Sequence, residues 1–203
     1  MNKTINWGII APGKIAQKFA SDLKLVEGAN LLAVASRDET RAKEFALEYN
    51  AQKHYGSYLD LVKDPDVDVV YIASPHPFHF EQSLLCLNHG KHVLCEKPMC
   101  MNVQEVKQLI DVAQSKNLFL MEALWTRFIP SFVKCKNLVE QGEIGEILYI
   151  QADFGFRAEY DVQRRTFNKE LGGGSLLDIG IYPVFFALEI AGKPWEIKAT
   201  GIF

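Results

Sequence analysis

Cysteine is scarce in this chain of 203 residues, and its four thiols (Cys86, Cys95, Cys100, Cys135) form no C-x-x-C pair. With no secretory signal in the sequence, that usage excludes a disulfide scaffold and points to reduced thiols in a cytoplasmic setting. His76, His79, Cys95 and Cys100 match no zinc finger or knuckle in their spacing, so no metal site is expected. An excess of charge is equally lacking. A net charge of -3 offers no basic surface for nucleic acid or an anionic membrane. No apolar run approaches the ~18 residues of a membrane span, and Met1-Asn2-Lys3-Thr4 opens no signal-peptide core. Internal repeats and low-complexity stretches are absent too. What is present is 48% hydrophobic and 23% charged residues, an ordinary globular composition. The length suits one large domain, or one domain plus part of another.

Strand and helix patterns alternate through the first 124 residues. Apolar runs at Ile5 to Ile10, Leu31 to Ala35, near His54, at Val67 to Ala73, His92 to Cys95 and Leu118 to Met121 read as strands. Between them, amphipathic stretches predict helices over Lys14 to Leu25, Glu39 to Tyr49, from Tyr58, up to Asn88, and over Val103 to Ser115. That rhythm predicts an α/β domain over residues 1–124, a doubly wound parallel sheet with helices on both faces. From Trp125 the rhythm changes. A helix from Pro130 is followed by alternation over Glu146 to Phe154, another helix after Gly172-Gly173-Gly174, and a strand-like run from Glu196 to Phe203. This predicts part of an α+β domain over 125–203, with an open, mainly antiparallel sheet. Two strands and two helices do not close such a layer, so the region is expected to be incomplete.

The turn after the first strand, Gly8 to Ala16, places Ala11, Gly13 and Ala16 at the positions of a G-x-G-x-x-G/A fingerprint. Its central glycine lets a pyrophosphate approach the N-terminus of the helix that starts with Lys14 and Ile15, after Pro12. Ala11 departs from the pattern, because alanine resists the positive φ often used there. At the end of the second strand, an NAD-preferring site carries an acidic residue. This chain has Ser36 and Arg37, with Arg41 one turn later. One hydroxyl and two guanidinium groups suit a 2′-phosphate and predict NADP as cofactor. The competing reading makes both arginines surface charges paired with Glu44 or Glu48.

Two further clusters fall at strand C-terminal ends, where an open α/β sheet binds its ligand. They are Ser74-Pro75-His76-Pro77-Phe78-His79 and Glu96-Lys97-Pro98, the proline restricting the lysine before it to extended backbone. Later, Asp178 and Tyr182 stand four apart on one helix face. Tyr49 and Lys53 form a Y-x-x-x-K pair, but it falls too early and lacks the glycine loop of short-chain dehydrogenases.

These motifs together resemble the glucose–fructose oxidoreductase / inositol dehydrogenase (Gfo/Idh/MocA) family, whose E-K-P motif supplies an active-site lysine. The stretch from Met121 to Phe128 resembles its dihydrodiol dehydrogenase / D-xylose dehydrogenase branch. The likeness covers essentially the whole chain, which matches the N-terminal portion of the longer family pattern. It implies reversible hydride transfer between NADP and a small-molecule secondary alcohol, a trans-dihydrodiol or an aldopyranose such as D-xylose. Lys97, Tyr182 and Asp178 become the catalytic candidates, with tyrosine standing where much of the family has histidine. A phenol titrates near ~10, so it serves as a base only beside a cation, here Lys97. Ser74, Pro75, His76, His79 and Glu96 join the cofactor-binding candidates. Trp125, Phe154 and Phe156 would wall the substrate, with Arg127 at the rim. The family pairs subunits through the second sheet, which implies a homodimer for a full-length chain. Two other readings fit the same residues: a non-catalytic NADP(H)-binding redox sensor, and an inactive truncated fragment.

Overall fold

The computed structural model describes residues 4–201, which fold as two compact units: residues 4–123 with Glu170–Gly172, and Leu124–Lys169 with residues 173–201. In the first, strands and helices alternate: β1 (Ile5–Ile10), α1 (Lys14–Leu23), β2 (Ala29–Ala35), α2 (Glu39–Tyr49), β3 (Lys53–Tyr55) and α3 (Tyr58–Lys63). β4 (Val69–Ile72), α4 (His79–Asn88), β5 (His92–Glu96), α5 (Val103–Ser115) and β6 (Leu120–Ala123) complete it. The six strands form one parallel sheet in the order β3-β2-β1-β4-β5-β6. This is the doubly wound α/β fold that the alternation predicts.

The sheet is buried on both faces, which is why its strands read as unbroken apolar runs. Successive residues point to opposite faces. Ile10, Val70 and Ile72 join one core cluster with Leu61, Leu87 and Leu109, while Ile9 and Tyr71 join the other with Ala16, Ala20 and Phe45. Val67 and Ala73 flank β4 without joining the ladder, so the expected strand is longer than the observed one.

Helix starts follow side-chain acceptors. Asp38 receives the Thr40 N–H at 3.0 Å to begin α2, Ser57 receives Leu59 N–H at 3.1 Å before α3, and Asn102 receives Glu105 N–H at 3.0 Å before α5. Each such cap is worth about 1 kcal/mol. α1 is different: Gly13 stands at its N-cap and supplies no side-chain acceptor.

The second unit holds a 3₁₀ turn at Trp125–Phe128, α6 (Pro130–Glu140), a π turn at Leu176–Gly180 and α7 (Ile181–Ala191). Phe132 on α6 meets Phe185 and Phe186 on α7 at ring separations of 5.5 and 6.1 Å. The expected strands of this region are corrected here. Residues 146–154 form no strand, and neither do 196–201, the last two residues of that expected run lying outside the described ones. Alternation only prepares a strand; its amides and carbonyls need a neighbouring ladder, and no strand flanks either segment among the described residues. Taken together, Lys169–Ala191 is by length and composition alone long and apolar enough to cross a membrane, but it divides into a 3₁₀ turn at Lys169–Leu171, the π turn and α7, and carries Lys169, Glu170, Asp178 and Glu189.

Candidate functional site

The fingerprint turn sits between β1 and α1. Ala11 adopts φ 61°, the left-handed conformation that alanine resists, at a cost of roughly 1–2 kcal/mol. Its amide donates to Ala35 O on β2 at 3.1 Å, so the strand beside it pins the turn. Gly13 has an ordinary extended backbone, and a Cβ built there would meet only Ala11 O, at 3.9 Å. No described neighbour therefore demands glycine at 13, and the uncapped amides of α1 are donors suited to an anion. Pro12, Gly13, Lys14 and Arg41 line one cleft of about 230 Å³, shared with Gln17 and the Glu44 carboxylate. Ile15 lies exposed next to it.

Arg37 and Arg41 make no ion pair with Glu44 or Glu48 among the described residues. The Arg37 guanidinium instead lies over the Phe78 ring, 5.9 Å from its centre. Ser36 is buried; its hydroxyl accepts the Asp38 N–H at 3.2 Å and its own amide donates to Tyr55 O at 3.1 Å. Asp38, unremarked in the sequence, thus fixes the β2–α2 turn that presents the arginines, and its signal is an acidic residue immediately before a helix.

The loops after β4 and β5 are tied together by a buried histidine. His79 Nε2 lies 2.7 Å from Ser74 O and its Nδ1 lies 2.8 Å from Pro98 O. Carbonyl oxygens only accept, so making both bonds at once requires a proton on each ring nitrogen. His76 Nε2 lies 2.7 Å from Gly172 O, and a Cβ at Gly172 would strike the His76 ring. The Ser74 hydroxyl donates to Gln82 Oε1 at 2.7 Å. Pro75 opens the 3₁₀ turn at His76–Phe78. The Lys97–Pro98 peptide is cis, and Glu122 on β6 receives the Met99 N–H at 2.7 Å just beyond it. Glu122 carries no sequence signal that separates it from an ordinary strand-end carboxylate. Burial pushes the flanking thiols up, Cys95 well above its ordinary value and Cys100 to about 12, so neither is a ready nucleophile.

In the second unit, Asp178 is buried on the π turn, and its Oδ1 accepts from Arg165 at 2.8 Å. Tyr182 begins α7 half-buried, with the Phe154 ring edge-on at 5.3 Å. In the sequence Arg165 carries no motif that marks it as the partner of Asp178. A Cβ at Gly173 would lie 2.8 Å from Arg165 O and 2.7 Å from Asn168 O, so glycine is required for the loop to close on itself. Trp125 and Phe156 are exposed. Arg127 donates to Glu189 at 2.7 Å and lies over the Phe185 ring, where Glu189 also receives Lys136 at 2.7 Å. Lys136, chiefly, holds the Glu189 carboxyl below its ordinary range against the opposing effect of burial. Arg127 therefore has an internal partner in addition to any role at a substrate rim.

A family model described as "Oxidoreductase family, NAD-binding Rossmann fold" matches residues 5–124, and the GFO/IDH/MocA C-terminal domain matches residues 132–202. The chain is 44% identical over 199 residues to trans-1,2-dihydrobenzene-1,2-diol dehydrogenase of Xenopus tropicalis, covering 96% of this chain and 60% of the relative. It is 44% identical over 201 residues to the Mus musculus enzyme of the same name, covering 97% and 60%. The chain thus spans about 60% of the length of these curated relatives. Among solved structures, KijD10, a 3-ketoreductase from Actinomadura kijaniata in complex with NADP and TDP-benzene, superimposes with a TM-score of 0.87 at 32% identity. That match covers 94% of this chain and 58% of the other. A scyllo-inositol dehydrogenase from Lactobacillus casei with bound NAD(H) and scyllo-inositol matches at TM-score 0.66 and 31% identity, over 71% of this chain and 43% of that one.

Proposed function

Since the chain belongs to the GFO/IDH/MocA oxidoreductase family, we propose that it holds NADP and acts, in its full-length form, as a dehydrogenase of secondary alcohols. The substrate class is a trans-dihydrodiol or an aldopyranose such as D-xylose. The observation that carries the cofactor reading is the cleft shared by Gly13, Lys14 and Arg41, with Ser36 where an acidic residue would select NAD. The cofactor, when bound, supplies or accepts the hydride. Pro12, Gly13, Lys14 and Ile15 receive its pyrophosphate, while Ser36, Arg37 and Arg41 receive the 2′-phosphate. Ser74, Pro75, His76, His79 and Glu96 shape the loops around the nicotinamide side.

Tyr182 exchanges the proton of the substrate hydroxyl, Lys97 favours the phenolate and polarises the substrate oxygen, and Asp178 orients the reacting groups. The Arg165 bond to Asp178 holds that carboxylate in place. Trp125, Phe154 and Phe156 offer apolar surface to a ring-shaped substrate, with Arg127 beside it. The reading further places the protein in the cytoplasm and pairs full-length chains as a homodimer. Fluorescence titration tests the first step: NADPH should bind at least about ten-fold tighter than NADH, the difference one well-paired phosphate makes. Equal affinities remove the NADP assignment. In an alcohol panel, Lys97→Met should lower turnover by about 100-fold or more, with NADPH binding held within a few-fold. Undiminished turnover in that variant removes Lys97 from the chemistry.

A further inference from the structure

A tyrosine in the middle of a fully buried strand needs a partner for its hydroxyl. β4 contains such a residue: Tyr71 is 2% exposed. In the parallel register Tyr71 stands opposite Leu94 of β5, so Glu96, two residues on, shares its face of the sheet. The Tyr71 hydroxyl donates to Glu96 Oε1 at 2.5 Å, and the other oxygen, Oε2, accepts the Lys97 N–H at 3.3 Å. The ring itself is set from the far side. Phe19 of α1 stacks on it at 3.9 Å and 17°, and Trp7 of β1 meets Phe19 edge-on at 5.3 Å. Burial, and then the Glu96 carboxylate, push the Tyr71 hydroxyl far up, so it remains a donor throughout the working range.

We propose that Tyr71 is a positioning residue for Lys97: through Glu96 it fixes the backbone of the Glu96-Lys97-Pro98 turn, and through Phe19 it ties that turn to the helix whose N-terminus faces the dinucleotide cleft. Phenylalanine would fill the same core volume and keep the same stack. The hydroxyl is therefore what packing does not require. Among the described residues its partner is the carboxylate next to the lysine. The inference rests on the assignment of Lys97 in the preceding subsection, but its structural half can be read without turnover.

The test is Tyr71→Phe and Glu96→Gln in the full chain, labelled with ¹⁵N-lysine. Loss of one hydrogen bond should speed exchange of the Lys97 amide by about five- to ten-fold. The Lys91 amide, which donates to Cys86 O at 3.0 Å, should stay unchanged as the internal control. Where turnover is present, Tyr71→Phe should lower kcat by about ten-fold while leaving the KM for cofactor within two-fold, the signature of misplacement. An unaltered Lys97 amide in both variants overturns the proposal. So does equal loosening of Lys91 and Lys97, which would make the hydroxyl a general stabiliser of the core. If the unmodified chain binds no NADPH, the proposed function fails, while the Lys97 amide still reports on the Tyr71 tether.

Discussion

The two units of this chain carry similar apolar patterns and treat them in opposite ways. In the first, each strand has a hydrogen-bonded neighbour, and Ile9, Ile10, Val70 and Ile72 are fully buried. In the second, Leu148 is 86% exposed, Ile197 80% and Trp195 95%. What separates them is the availability of a ladder and a covering helix, not composition. The first unit supplies both from contiguous sequence. The second holds its order in a helix pair, clamped by Phe132 against Phe185 and by Glu189 between Arg127 and Lys136.

The sharpest way to break that contrast is a cavity in each region. Ile72→Ala should destabilise the first unit by about 2–5 kcal/mol, read from its denaturant midpoint, and should leave amide exchange in α7 nearly untouched. Phe185→Ala should do the reverse, releasing α6 and α7 while β1, β2 and β4 stay protected. Coincident loss of both regions in either variant would show one cooperative body and dissolve the comparison.

Acid offers a milder probe. Burial pushes Asp64 up, but its bonds with Lys53, the Asp66 amide and Tyr55 outweigh this and hold it below its ordinary value, as Lys136 and Arg127 do for Glu189. A carboxyl depressed in the folded state contributes stability that is full above its unfolded pKa, about 4, and drains away as pH falls through the folded value. Both units should therefore weaken only below about pH 4. Glu189→Gln should flatten that response in α7 alone, and Asp64→Asn around β3 alone, as followed by exchange against pH. A response in the wrong unit would contradict the assigned pairs.

The smallest effect expected is a gain. Ala11→Gly relieves a left-handed alanine and should stabilise the first unit by about 1 kcal/mol, raising its melting midpoint by a few degrees. The second unit should not respond. A loss of stability would mean that the turn tolerates alanine without strain.

How much was legible beforehand follows the same division. The six strands could be read because parallel strands buried on both faces are continuous apolar runs bounded by turn residues. The family resemblance carried by Glu96-Lys97-Pro98 and the stretch from Met121 is borne out by 44% identity to dihydrodiol dehydrogenases. The segment over 146–154 has the pattern of a strand and forms none, because period-two alternation states a preference for a ladder without saying whether one exists. Asp38, Arg165 and Glu122 went unnoticed for another reason. Their importance lies in the particular hydrogen bonds they make, and a polar residue in a loop or at a strand end looks alike with or without them. Ala11 is the instructive case: the sequence flags the wrong residue for the conformation, and the fold imposes that conformation regardless.

The docking of Glu170–Gly172 onto the first unit bears on how this protein could be taken apart. A chain stopped at Ala123 would keep all six strands and look complete by topology. It would nevertheless remove the carbonyl that holds His76 Nε2 and open a hole above a histidine that is 1% exposed. The dinucleotide-binding body is thus assembled from two pieces of chain, and its minimal autonomous form needs the second piece supplied, in cis through a linker or in trans as a peptide.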